Sequence, residues 1–96
     1  MKPSTVLAKH RAEICDVIKR SRATNPRVFG SVVRGEDRED SDLDLLVDVL
    51  PGTTLFDLGG LQIELEDMLG VPIDLVTLGE LPPKFRGRVL EEARPV

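Results

Sequence analysis

The sequence predicts an α/β fold, a small mixed sheet flanked by helices, and three observations predict it. A helical-period stretch, Leu58, Leu61, Leu65, Met68 and Leu69, separates two short β-rich runs, 43–49 and 71–76. Each run is bounded by turn-forming Pro or Gly, at Pro51-Gly52 and Gly70. With 96 residues, 41% of them hydrophobic, the chain can bury one modest core, so residues 1–96 read as a single domain.

The elements follow in order. Leu7, Ile14 and Ile18, with Val6 and Val17 beside them, repeat near the helical period and predict a helix over 5–21 with Ser4 as its N-cap. Asn25-Pro26 is expected to break the chain before a short strand, Arg27-Val28-Phe29, that runs into Gly30-Ser31. Residues 32–41 are polar, with an Arg34-Gly35 pair, and Leu43 to Val49 is the second strand. Thr54 followed by Asp57 forms a capping-box pattern ahead of the most strongly periodic helix, and Gly70 stands at its C′ position. Val71 to Val76 is a third strand with Pro72 at its start, where a missing N–H does least harm. Leu81-Pro82-Pro83 opens a last helix through about Glu92.

Composition narrows the function classes. Thirteen basic against seventeen acidic residues give a net charge of −4, which argues against tight nucleic-acid binding and suits a basic protein partner or a magnesium-bound nucleotide. There are three Phe and no Tyr or Trp, too few aromatics for a base-stacking platform. No apolar run has the length of a signal sequence or a membrane span, and Cys15 is the only cysteine, so no internal disulfide forms; a cytoplasmic protein with no membrane partner is expected.

The chemistry rests on acids at particular spacings. Asp42 and Asp44 are two residues apart, and on a strand that spacing puts both carboxylates on one face, roughly 6 to 7 Å apart at the backbone. Like charges so placed call for cations, and hard oxygens with no His or Cys nearby favour Mg²⁺ or Mn²⁺ over Zn²⁺. Taken alone, the pair reads equally well as two exposed acids at a strand edge. Asp74 lies inside the apolar run Ile73-Asp74-Leu75-Val76, where an unpaired charge is costly. If that strand lies beside 43–49, three carboxylates gather on one face, as two-metal nucleotidyl transfer requires. Upstream, Gly30-Ser31 ends a strand, and such a turn offers backbone N–H groups and a hydroxyl to a phosphate, though Gly-Ser alone is common in loops. Arg34 reads equally as a phosphate contact or a solvated loop residue.

Gly30-Ser31, ten residues, then Asp42-Leu43-Asp44, with Arg34-Gly35, Ser41 and the later Asp74, resembles the DNA polymerase beta nucleotidyltransferase superfamily. More narrowly, it is similar to the minimal nucleotidyltransferase antitoxins, with the resemblance spanning residues 27–77 and Val33 standing where the family often has a smaller residue. The resemblance implies a nucleotidyltransferase fold and a catalytic set of Asp42, Asp44 and Asp74 holding two Mg²⁺ ions. It also implies that Gly30 and Ser31, with Arg34, hold the β and γ phosphates of ATP, and that Asp74 helps activate the acceptor hydroxyl. The implied partner is a helical HEPN ribonuclease toxin, silenced by transfer of AMP to one of its tyrosines.

Two alternatives stand beside this reading: an antitoxin that neutralises its partner by binding alone, and an enzyme that nucleotidylates a small-molecule alcohol. Because the chain has few residues after Asp74 and no tyrosine, the acceptor is expected to come from outside. Among other residues, His10 is expected at the surface or the core edge, Cys15 in buried packing and Asp48 in a structural role. Gly59-Gly60, inside a helix, points to close packing or to a partner's approach.

Overall fold

The computed structural model describes residues 1–96. Its elements run α1 (Pro3–Lys19), β1 (Ala23–Phe29), α2 (Ser31–Arg34), β2 (Leu43–Val49), α3 (Leu55–Leu69), β3 (Ile73–Val76), a 3-10 turn (Leu78–Glu80), α4 (Pro83–Glu92) and β4 (Arg94–Pro95). The four strands form one mixed sheet in the order β3-β2-β1-β4. β2 runs antiparallel to β1 and parallel to β3, and α3 makes the crossover that a parallel pair needs.

β2 is central, and its sequence shows why. Leu43, Leu45 and Val47 alternate onto the face that α1 and α3 cover, and all are fully buried. They pack with Ile14 and Ile18 of α1, Leu61, Leu65 and Leu69 of α3, and Ile73 and Leu75 of β3. Leu46, on the opposite face and outside that cluster, is also fully buried, as expected of a strand with neighbours on both sides and both faces covered. The capping box at α3 is formed: the Asp57 amide donates to Thr54 Oγ1 at 3.2 Å and the Thr54 amide to Asp57 Oδ2 at 2.9 Å. Gly70 closes α3 in the left-handed region at φ 71°, which only glycine adopts without strain.

Three expectations are corrected. Ser4 does not cap α1; the helix starts at Pro3, with Lys2 as N-cap, because proline suits the first helical position. The Ser4 amide is taken instead by Asp37 Oδ2 at 2.8 Å. Asn25-Pro26 does not break β1 but lies within it, at a register shift between Thr24 and Arg27, with Asn25 at φ 51°. There Asn25 Nδ2 and Arg27 Nη2 both donate to Asp48, at 3.0 and 2.7 Å, which gives Asp48 its structural role. Gly59 and Gly60 face open space, so close packing within this chain does not explain them. Strand β4 was not visible in the sequence; it pairs with β1 through Arg27 opposite Pro95 and Val28 opposite Arg94.

Asp37 is the one buried charged residue, 8% exposed. Burial pushes its carboxyl up, but the Ser4 amide and hydroxyl outweigh that and hold it below the usual carboxylate range. It ties the segment after α2 to the start of α1, where an anion also meets the helix dipole. Asp37→Ala is expected to destabilise the fold by about 1–3 kcal/mol, read by urea unfolding, because it strands a part-buried amide. An unchanged midpoint would show that the link contributes nothing.

Candidate functional site

The structure brings two of the three predicted acids together in one register. In the parallel β2–β3 pair, Asp44 stands directly opposite Asp74, and on the antiparallel side Asp44 stands opposite Phe29. Asp42 lies just before β2 begins, so it approaches from the strand's entrance. Gly30 follows Phe29 at φ 77°, and a Cβ there would collide with Asp44 Oδ2. The expected reason for this glycine was room for a phosphate; the room is filled by the Asp44 carboxylate. Ser31 follows as the first residue of the short α2, half-buried beside the acids' end of β1.

The expected phosphate groups are partly engaged by the protein itself. The Gly30 amide donates to Glu92 Oε2 at 2.9 Å, and Arg34 Nη1 donates to Glu92 Oε1 at 2.6 Å. Arg34 Nε donates to Glu36 Oε1, also at 2.6 Å. Arg34 is exposed at the end of α2 but is not a free cation: two carboxylates hold it from different edges, and both raise its pKa, Glu92 more than Glu36. Glu92 itself is held below its usual range; burial pushes it up, but the Gly30 amide and the Arg34 guanidinium pull it down further.

These groups share a cleft of about 450 Å³. Gly30, Arg34, Asp44 and Asp74 line its sheet side, and Phe85, Arg88, Val89 and Glu92 of α4 line the other. The α4 contribution escaped the sequence reading. The spacing of Phe85, Arg88, Val89 and Glu92 at i, i+3, i+4 and i+7 was a signal for one helical face, but nothing local said what that face met. Phe29 and Phe85 give the cleft aromatic character that the low aromatic count did not suggest. The remaining candidates lie elsewhere. His10 sits where α1 kinks, its Nδ1 3.1 Å from Glu13 Oε1. Cys15 is only partly buried, its thiol 3.5 Å from the Val96 carbonyl.

The electrostatics of the acids follow from this placement. Burial is the largest influence on Asp44, followed by the charges of Asp74 and Asp42, and together they push it up to about 6 against a smaller opposing effect of Arg34. Asp74 is raised as well, by burial and by Asp42, while a hydrogen bond with Asp44 lowers it. The two carboxyls therefore titrate as a coupled pair, both shifted above the usual carboxylate range. No group of three or more His, Cys, Asp or Glu side chains converges into a ready metal cage. The donor set nevertheless fits Mg²⁺: the donors are all oxygen, their charge is uncompensated, and Mg²⁺ commonly takes one or two carboxylates while keeping several waters.

A carboxyl with a raised pKa binds its proton more tightly in the folded chain than in the unfolded one, so its contribution to stability falls as pH rises through the interval between the two values. Asp37, Asp48, Asp57 and Glu92 are lowered, and their contributions are complete once pH exceeds the usual carboxylate range. Between about pH 5 and 7 the metal-free protein should therefore lose thermal stability, and Asp44→Asn should flatten that slope. Scanning calorimetry of both proteins across this range is the test; equal slopes would contradict the coupling.

The chain matches the nucleotidyltransferase domain family over residues 7–96. The protein adenylyltransferase MntA of Thermococcus cleftensis is 38% identical over 88 residues, covering 92% of this chain and 86% of its own length. A Methanocaldococcus jannaschii protein assigned as a protein adenylyltransferase is 35% identical over 83 residues, covering 86% of this chain and 89% of its own. Among solved structures, a minimal nucleotidyltransferase superposes with a TM-score of 0.85 at 47% identity, covering 100% of this chain and 97% of that one. A toxin–antitoxin complex with AMP-PNP shares the fold at a TM-score of 0.68 and 18% identity, with 96% and 70% covered. With a family match across nearly its whole length and relatives this similar, the chain belongs to the nucleotidyltransferase domain family, among its minimal members.

Proposed function

We propose that this nucleotidyltransferase transfers AMP from ATP to a tyrosine hydroxyl of a separate HEPN-type ribonuclease toxin, and so acts as its antitoxin. The observation that carries the reading is Asp44 opposite Asp74 at the edge of a cleft, with uncompensated negative charge. Two further facts support it. MntA of Thermococcus cleftensis is a protein adenylyltransferase, and solved proteins of this fold include an MntA–HepT toxin–antitoxin complex and a toxin–antitoxin complex with AMP-PNP. Large apolar side chains also stand in solvent on α3, with Leu55 77%, Phe56 92% and Ile63 60% exposed around the open Gly59 and Gly60, as a protein partner would require.

In the reaction, the acceptor oxygen attacks the α-phosphorus of ATP, the bond to the bridging oxygen breaks, and pyrophosphate leaves with that electron pair. Asp42, Asp44 and Asp74 would hold two Mg²⁺ ions, which supply charge neutralisation for the attacking and leaving oxygens. Asp74, the more exposed of the facing pair, would take up the acceptor's proton. Ser31 supplies a hydroxyl to the β or γ phosphate. Gly30 keeps the space in which the Asp44 carboxylate sits. Arg34, held by Glu92 and Glu36 through Nε and Nη1, would have only Nη2 left for a phosphate oxygen.

Asp44→Asn and Asp74→Asn should each lower transfer by at least about 10³-fold, and chelation of divalent ions should do the same to the wild type. The assay is AMP incorporation from labelled ATP into a co-expressed HEPN-type partner. Variants that still neutralise the toxin without incorporation would favour neutralisation by binding alone.

The sequence contains no tyrosine, so tyrosine-linked AMP must appear on another chain. Peptide mass analysis after incubation with ATP and Mg²⁺ should find the added AMP on the partner and none on this protein. Labelling of this chain alone would overturn the antitoxin reading, and labelling of an added small alcohol would replace it with small-molecule nucleotidylation.

A further inference from the structure

The cations of the cleft are unequal. Arg34 is the one the sequence singled out, yet its Nε and Nη1 are occupied by Glu36 and Glu92 at 2.6 Å each. Arg88, one helical turn before Glu92 on the same face of α4, lines the same cleft. None of the molecule's ion pairs includes it. Its side chain is exposed, and its charge reaches Glu92, one turn further along the same helix face, which it helps to lower. An unengaged guanidinium facing a cleft that also holds Asp44 and Asp74 needs a ligand compatible with both. A bare anion would be repelled by the acids, and a bare cation by Arg88. A polyphosphate carrying its own Mg²⁺ satisfies both sides: the metal faces the carboxylates, and the outer phosphate oxygens face the guanidinium fork.

Building on the nucleotidyltransferase reading above, we propose that Arg88 is the principal protein cation for the β and γ phosphates of the bound nucleotide, across the cleft from Asp44 and Asp74. Arg34 then acts mainly as a brace between Glu36 and Glu92. The proposal deepens the assignment of the site and shifts the phosphate contact from the loop after β1 to α4. It also distinguishes the ligand's two ends: Arg88 should matter for a polyphosphate and not for the nucleoside monophosphate.

The test is calorimetric titration of the full chain and of Arg88→Ala and Arg88→Lys with Mg·ATP and with AMP. Because the side chain is exposed and unpaired, both variants should keep the wild-type melting temperature. Loss of a charge-assisted contact to phosphate should weaken Mg·ATP binding by about tenfold or more in Arg88→Ala, with AMP binding unchanged. Arg88→Lys should recover part of that loss, since it keeps the charge and loses the fork. Mg·ATP affinity within about twofold of wild type in Arg88→Ala would overturn the proposal, as would an equal loss for AMP. A wild-type chain that does not bind Mg·ATP would instead overturn the nucleotide reading, and this proposal with it.

Discussion

Where β2 and β3 run parallel, Asp44 and Asp74 are held side by side, and most of the functional architecture is a response to that pairing. Two carboxylates at neighbouring positions of adjacent strands repel, and here burial removes part of the water that would soften the repulsion. The register cannot relax. Leu43, Leu45, Ile73 and Leu75 occupy the alternate positions and are locked into the core under α1 and α3, so a slip of one residue in either strand would turn its two apolar side chains out of that core and its acid into it. The hydrophobic core thus stabilises an electrostatic conflict at its rim. A folded protein that keeps such a conflict has a site poised to take up positive charge, whether a proton shared by the pair or a divalent cation.

The elements around the pair are arranged by it. Gly30 has no side chain because the Asp44 carboxylate occupies the space, and its positive φ turns β1 into α2 so that Arg34 reaches back towards the cleft. Glu92 then joins the Gly30 amide and Arg34 to the far end of the chain, 62 and 58 residues away in sequence. One carboxylate therefore sets both the loop after β1 and the end of α4. β4, immediately beyond Glu92, adds an edge pairing to β1 that holds the same end in place.

Much of this was legible in the residues, for identifiable reasons. β2 was visible because Leu43 to Val49 is a β-rich run closed by Pro51-Gly52, and Asp74 because a charge inside an apolar strand has few inexpensive explanations. The start and end of α3 were visible because the capping box and the C′ glycine are local devices read within a few residues. What escaped was tertiary. Glu92 and Arg88 look like ordinary charges on an amphipathic helix, and only the fold carries them to Gly30 and Asp44. Arg34 was seen, but its engagement by Glu36 and Glu92 was not. Ser4 and Asn25-Pro26 were misread because their local preferences yielded to Asp37 and to the Asp48 cross-strand contacts.

α4 buries none of its residues, although it forms a whole wall of the cleft. Its attachment rests on Arg86 bonding to the Leu81 and Gly79 carbonyls, on Glu92, and on the short β4. In the language of hydrogen exchange, such a helix is its own opening unit: its amides should exchange through a local event far cheaper than global unfolding, while those of β2 exchange only with the whole domain. Were α4 to open in this way, the cleft would widen while Asp44 and Asp74 stayed fixed by the β2–β3 pairing.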